Sequence, residues 1–263
     1  MRTPSDSAEA LKLLAAGRAE LAVLDIHDLA LAREHGADVV GVAALVQRPL
    51  ASVIAARRVR SPGALEGARV GVTGVPSDDA VLHSTVLGAG GDPGRVRTVT
   101  IGFNAVSSLL AGRVAAATAF WNIEGVALAR QRRGFHPFRV DEYGAPPYPE
   151  LVLSVTRATL EHRRAAVRRV LRALGRGYAY ADRDPTGSAR DIVRAQPGLD
   201  PGLVRSELRT TIPIFFARGH RWGQLDAAAL RAWAAWEARF GIVRRPPEVA
   251  RAFDGALVPP GPS

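Results

Sequence analysis

Short apolar runs in this sequence end, one after another, in residues able to hydrogen-bond or stack. The run Ala19 to Ile26 closes on Asp25, His27 and Asp28, and a later one closes near Gln47 or Ser52. Arg69 to Val72 leads into Thr73, Gly74, Ser77 and Asp78. Val96 to Ile101 leads to Asn104, and Ala115 to Phe120 leads to Trp121, Asn122 and Glu124. A proline-rich loop adds Tyr143 and Tyr148. Carboxylates and amides read ring nitrogens and amino groups, while Trp and Tyr stack on ring faces. The set suits a flat, polar, heteroaromatic ligand. Each residue also has a plainer reading. Asp25, Asp28 and Asp78 can be helix caps. His27 can sit at the core edge, Trp121 in the core, and Tyr148 can pack its loop.

The stretch Arg69 to Leu82 shows how such a strand end is built. Gly71 and Gly74 permit close backbone approach and unusual dihedrals, and Pro76 cannot continue a strand. Ser77 or Asp78 can cap the helix that follows. A helix start of this kind offers free N–H donors to a small polar or anionic group.

Strands alternate with helices up to about Val155. Ser5, Asp6 or Ser7 can cap a first helix over Ala8 to Ala16. Strands are expected at Ala19–Ile26, Val39–Val42, Ala51–Ala55, Arg69–Val72, Val96–Ile101, Ala115–Phe120, Phe135–Val140 and Leu151–Val155. From Thr156 helices dominate. The longest spans Arg157 to Ala181, with Val167, Val170, Leu171, Leu174 and Tyr178 at helical spacing. The tail Val258 to Ser263 reads as frayed. Alternation implies parallel βαβ units. Two such blocks favour a two-lobed α/β protein with a ligand cleft beyond the strand ends.

The 263 residues suffice for one large domain or two lobes with real cores. There is no cysteine, so disulfides and thiolate metal sites are excluded. The formal charge of +10 invites a nucleic-acid reading. Nearly all of it is arginine, with Lys12 the single lysine, and the arginines are scattered without interleaved aromatics. No nucleic-acid partner is therefore expected. No apolar run has the length of a membrane span, and no apolar signal region opens the chain. A nucleophile elbow, a P-loop lysine and a histidine cluster for a metal are all missing, so enzyme signals are poor.

The segments ALKLLAAGRAELAV, ALVQRPLASVIA, LEGARVGVTGVPSDDAVL, IGFNAVSSLLAGRVAAATAFWNIEGVAL and YGAPPYPELVLSVTR follow one another in order. Together they resemble the NMT1/THI5-like substrate-binding proteins of ABC importers for thiamine pyrimidine precursors. The resemblance implies a type II periplasmic-binding-protein fold: two α/β lobes, an interlobe cleft and a helical C-terminal part. It implies lobe one over residues 1–61, lobe two over 62–155, and a helical return to lobe one over 156–263. The ligand would be a formylaminopyrimidine- or hydroxymethylpyrimidine-type ring, with a sulfonate or taurine as the alternative. The partner would be an ABC permease, the location extracytoplasmic, and contact with the membrane only through that permease or a lipid anchor. Trp121 and Tyr148 would stack on the ring, and Asn122 and Glu124 would bond its edge. Asn104 joins the site as a strand-end polar group. Gly74, Ser77 and Asp78 would hold a polar substituent, and His27 and Asp28 would close the pocket.

The group also contains the eukaryotic pyrimidine synthase, which resembles these proteins but is an enzyme. It needs a lysine for pyridoxal phosphate, a donor histidine and a Cys-rich iron motif. Here Lys12 lies on the first predicted helix and cysteine is absent, although His27 falls near the donor histidine's place. The resemblance therefore implies a binding protein without cofactor. Relatives also carry a leader and an initial strand and helix, which would precede Met1.

Overall fold

The computed structural model describes residue 4 and residues 6–131, 134–217 and 221–258. It contains two main sheets. The smaller has the order β1-β8-β2, from β1 (Ala22–Asp25), β2 (Val39–Ala44) and β8 (Leu151–Thr156). The larger has the order β5-β4-β6-β3-β7. Its members are β3 (Ala51–Ala56), β4 (Arg69–Val72), β5 (Arg97–Thr100), β6 (Ala116–Phe120) and β7 (Phe135–Arg139). A two-stranded ribbon, β9 (Phe216–Ala217) and β10 (Arg221–Trp222), was not expected from the sequence.

The pairings differ from the anticipated parallel units. Among the described strands, parallel pairing is confined to β4 with β5 and β6. β8 runs antiparallel to both β1 and β2, and β3 runs antiparallel to both β6 and β7. The reason is chain crossing. After β2 the backbone passes to the other lobe, so β3, expected in lobe one, is a central strand of the larger sheet. The proline loop carries it back, so β8, expected in lobe two, is the central strand of the smaller sheet. The lobes therefore exchange chain between Ala44 and Ala51 and between Glu142 and Leu151, not at residues 61 and 155.

Helices α1 (Ser7–Ala15) and α2 (Ile26–Glu34) cover one face of the smaller sheet together with α10 (Ala227–Arg239) and α11 (Val249–Ala252). Asp6 caps α1 by accepting the Glu9 N–H; Ser5 lies outside the described residues, as do 259–263 of the tail expected to fray. The opposite face packs Val40, Val42, Leu153 and Val155 on α6 (Arg157–His162) and α7 (Arg164–Arg183). Val167, Leu171, Leu174 and Tyr178 of α7 face this core as their spacing predicts, whereas Val170 is partly exposed. In the larger sheet, Val53 and Ala55 point toward α3 (Asp78–Gly88), while Ile54 points toward α4 (Ala105–Leu110) and α5 (Glu124–Arg130). That is the period-two alternation of a strand buried on both faces.

Helices α8 (Pro185–Ala195) and α9 (Pro201–Thr211) complete the helical part. It does more than return to lobe one: Arg130 reaches Asp200 at 3.3 Å, and the Asn122 amide donates to the Thr211 hydroxyl at 3.1 Å. Among the described residues no helix is long and apolar enough to cross a membrane.

Gly88 closes α3 against the proline loop. A Cβ there would overlap the Tyr143 carbonyl, which is backbone and cannot swing away. Gly88→Ala is expected to lower stability by about 2–3 kcal/mol, read as a lower urea midpoint; an unchanged midpoint would show that the loop gives way at no cost.

Candidate functional site

Between the sheets lies a cavity of about 360 Å³ whose walls come from both lobes. Asp25 and Asp28 enter from the end of β1 and the start of α2, and Glu150 and Leu151 from the start of β8. Thr73, Val75, Ser77 and Asp78 enter from the β4–α3 turn. Thr118, Ala119 and Phe120 come from β6, followed by Ile123 and Glu124. Phe103, in the loop before α4, lines the same space yet is 75 % exposed. Six carboxyl side chains line the cavity: Asp6, Asp25, Asp28, Asp78, Glu124 and Glu150. No lysine, arginine or histidine is among the described lining residues.

The β4–α3 turn is closed by its own side chain. Gly74 turns at φ +96, a backbone state that glycine adopts cheaply. Asp78 Oδ2 then accepts the Gly74 N–H at 2.7 Å, the Val75 N–H at 3.1 Å and the Thr73 hydroxyl at 2.8 Å. Its Oδ1 accepts the Thr118 hydroxyl at 2.6 Å. The Gly74 and Val75 donors that could have held an anion are thus taken by a carboxylate of the chain. Ser77, the other candidate cap, makes no capping hydrogen bond.

Behind the wall sits a buried ionisable network. His27 Nδ1 is bonded to Glu237 Oε1 of α10, and His27 Nε2 lies 3.2 Å from the Tyr148 hydroxyl and 3.7 Å from Glu150 Oε1. Glu150 Oε2 accepts the Leu50 and Ala51 N–H groups at 2.6 and 3.0 Å. Asp25 caps α2 by accepting the His27 N–H at 2.8 Å. Burial alone makes His27 less basic; the charge of Glu237, then of Asp25, overrides it and holds the imidazolium up to about 10. Burial, then the charge of Asp25, raises Glu150 to about 8. Burial also raises Asp25, against the charge of His27, and a carboxyl oxygen of Asp25 lies within 4.8 Å of one of Glu150. Asp28, raised mainly by burial and then by Asp25, reaches about 6. The cavity floor therefore sets Glu150, which burial keeps protonated at neutral pH, beside the Asp25 carboxyl, a donor next to an acceptor.

Of the residues expected to meet a ligand, Asp28, Ser77, Asp78 and Glu124 line the cavity. The others are placed elsewhere. Trp121 donates its indole N–H to the Pro49 carbonyl at 2.9 Å, packs on Val46, Leu50 and Ile214, and carries the Arg139 guanidinium 4.2 Å over its ring. Tyr148 is fully buried between His27 and Trp236. Neither is among the residues that line the cavity, where both were expected to stack on a ligand. His27 stands one layer behind the wall. Asn122 is held against α9, Asn104 donates to the Ile101 carbonyl beside Phe103, and the Gly74 N–H serves Asp78. The aromatic lining is instead Phe103 and Phe120. Sequence reading passed over Phe103, Glu150 and Glu237. Phe103 and Glu150 each border an apolar run, which was a usable signal; Glu237 lies 210 residues from His27 in an amphipathic helix and had none.

Two α/β lobes that exchange strands across a ligand-sized cleft define a periplasmic-binding-protein architecture. The chain superposes on the periplasmic aliphatic sulphonate binding protein SsuA from Escherichia coli with a TM-score of 0.76. That match covers 94% of this chain and 79% of the other at 16% identity, which shows the fold alone. Residues 1–188 match the family model described as NMT1/THI5 like, and the chain belongs to that family. It is 32% identical over 240 residues to the formylaminopyrimidine-binding protein of Halalkalibacterium halodurans, covering 89% of this chain and 73% of that protein. It is also 24% identical over 217 residues to a 4-amino-5-hydroxymethyl-2-methylpyrimidine phosphate synthase of Legionella pneumophila subsp. pneumophila, covering 81% of this chain and 68% of that one.

Proposed function

We propose that this chain is the solute-binding component of an ABC importer. It captures an aminopyrimidine precursor of thiamine outside the cytoplasm and delivers it to a membrane permease. The observation that carries this reading is the sign of the cleft: six carboxyls and, among the described lining residues, no cation. A sulfonate there would face carboxyl groups with no cationic side chain among the described lining residues to pair with, and the turn donors it could use already serve Asp78. An aminopyrimidine brings a ring nitrogen that accepts and an amino group that donates. The protonated Glu150 and the neighbouring Asp25 carboxyl complement that edge. Asp28, Ser77 and Glu124 supply further polar contacts. Gly74 and Asp78 hold the wall, and His27 supports the floor. Lobe closure completes the contacts and so favours the closed state when ligand is bound.

The synthase reading asks for a lysine at the site. The single lysine, Lys12, is exposed on α1 and is not among the lining residues, so binding without chemical conversion is the reading supported. Calorimetry with formylaminopyrimidine, hydroxymethylpyrimidine and taurine tests the assignment. Heat from either pyrimidine and none from taurine is expected; taurine binding, or silence with both pyrimidines, overturns it.

The exposed Phe103 becomes useful only when a ring lies against it. Phe103→Ala is expected to weaken pyrimidine affinity by about tenfold, the worth of one aromatic contact. It should leave the thermal midpoint within about a degree, because little of the ring is packed. Unchanged affinity would take Phe103 out of the site.

A further inference from the structure

We propose that α7 docks the protein on an anionic phospholipid surface. The helix carries Arg164, Arg168, Arg169, Arg172, Arg176 and Arg183, and its single acid, Asp182, stands at its far end. Arg164 pairs with Asp254. Arg168, Arg169, Arg172 and Arg176 are exposed and form no ion pair among the described residues. Some arginines elsewhere do meet a carboxylate: Arg33 meets Asp38, Arg48 meets Asp141, Arg95 meets Glu66 and Arg163 meets Glu20.

The spacing adds to the contrast. Arg168, Arg172 and Arg176 stand four residues apart, one above another along about 12 Å of one helix face, with Arg169 beside them. Like charges at this spacing weaken a helix. Val167, Leu171, Leu174 and Tyr178 pin the opposite face to the core, so the cationic row is held outward. A general excess of arginine does not by itself align four of them on one helix face with no acid between Arg164 and Asp182.

The row also indicates what it meets. A protein partner needs a desolvated aromatic or apolar anchor at the centre of its interface, and only the partly exposed Val170 lies within the row. A nucleic-acid strand needs aromatic platforms between the cations, and the exposed face has none between Arg164 and Arg176. A bare cationic row suits the diffuse negative potential of a bilayer, which attracts each nearby arginine separately and without insertion. The attraction is independent of which ligand the cleft takes.

Cosedimentation of the full chain with phosphatidylglycerol–phosphatidylcholine vesicles tests this. Binding is expected at about 0.02 M salt, release at about 0.5 M, and no binding to pure phosphatidylcholine. Replacing Arg168, Arg169, Arg172 and Arg176 together by glutamine is expected to cut the partition coefficient more than about a hundredfold, roughly fivefold per charge. A variant of equal net charge with Arg57, Arg58, Arg60 and Arg113 changed to glutamine retains binding. Unaltered thermal midpoints show that both variants are folded. Three outcomes overturn the proposal: no binding to anionic vesicles, equal loss in both variants, or retention of an acidic polypeptide by the same row without vesicle binding.

Discussion

His27→Ala is expected to lower the unfolding free energy by about 3–5 kcal/mol, the cost of leaving buried charges without their partner. Glu237 is fully buried and its Oε2 has no hydrogen-bond partner among the described residues, so its bond to His27 Nδ1 is its compensation. On the other side His27 faces Tyr148 and Glu150, and Glu150 stands against Asp25. Removing the imidazole leaves three acids close together with no cation between them. Urea unfolding at neutral pH measures the loss; a change under about 1 kcal/mol would mean that water enters and replaces the ring. Glu237→Gln is the milder companion, since an amide still accepts from Nδ1.

The same network sets how stability depends on pH. His27 rises from 6.5 to about 10 on folding, so its contribution is complete below about 6.5 and is lost as pH rises through 10. Glu150 rises from 4.5 to about 8, and Asp28 from 3.8 to about 6. These are acids held protonated by the fold, and each costs stability as pH climbs from its unfolded to its folded value. All three shifts have one sign: the folded chain binds more protons than the unfolded chain. The unfolding midpoint is therefore expected to fall steadily from about pH 5 to pH 10, and His27→Ala to flatten the alkaline end. A midpoint that rises across this range would contradict the assignment of the network.

Asp78→Ala is the second large effect, and it separates structure from selectivity. Four donors lose their acceptor at once, one of them the buried Thr118 hydroxyl, for an expected loss of about 3 kcal/mol. The variant also frees the Gly74 and Val75 N–H groups at the head of α3, where the helix dipole favours an anion, and removes one of the six cavity carboxyls. Sulfate or taurine is expected to raise the thermal midpoint of Asp78→Ala and not that of the parent chain. If neither anion distinguishes the two proteins, Asp78 does not exclude anions. Asp78→Asn keeps an acceptor for the backbone donors and is expected to fall between them in stability.

The individual strands were legible because each is a short apolar run bounded by glycine, proline or a capping acid, all local properties. Arg69–Val72, Ala116–Phe120 and Leu151–Thr156 stand within a residue or two of where their composition put them. Strand-end logic also reached Asp28, Ser77, Asp78 and Glu124, because the ends of strands point into the cleft whichever neighbours they have. Partnership was not legible. Nothing in Ala51–Ala56 marks it for the larger sheet, or Leu151–Thr156 for the smaller, because pairing depends on where a crossing segment carries the chain.

For the same reason the aromatic residues lining the cavity are not the ones the sequence pointed to. Trp121 and Tyr148 have the chemistry of stacking residues, but tertiary packing committed one to the Pro49 carbonyl and Arg139 and the other to His27 and Trp236. It left exposed Phe103 at the cavity instead. By itself the sequence determined the class of site, a polar and aromatic cleft at strand ends. Only the tertiary structure decided its charge, by gathering six carboxyls from both lobes and setting His27 and Glu237 behind them, because burial and proximity between distant segments are what fix a group's proton.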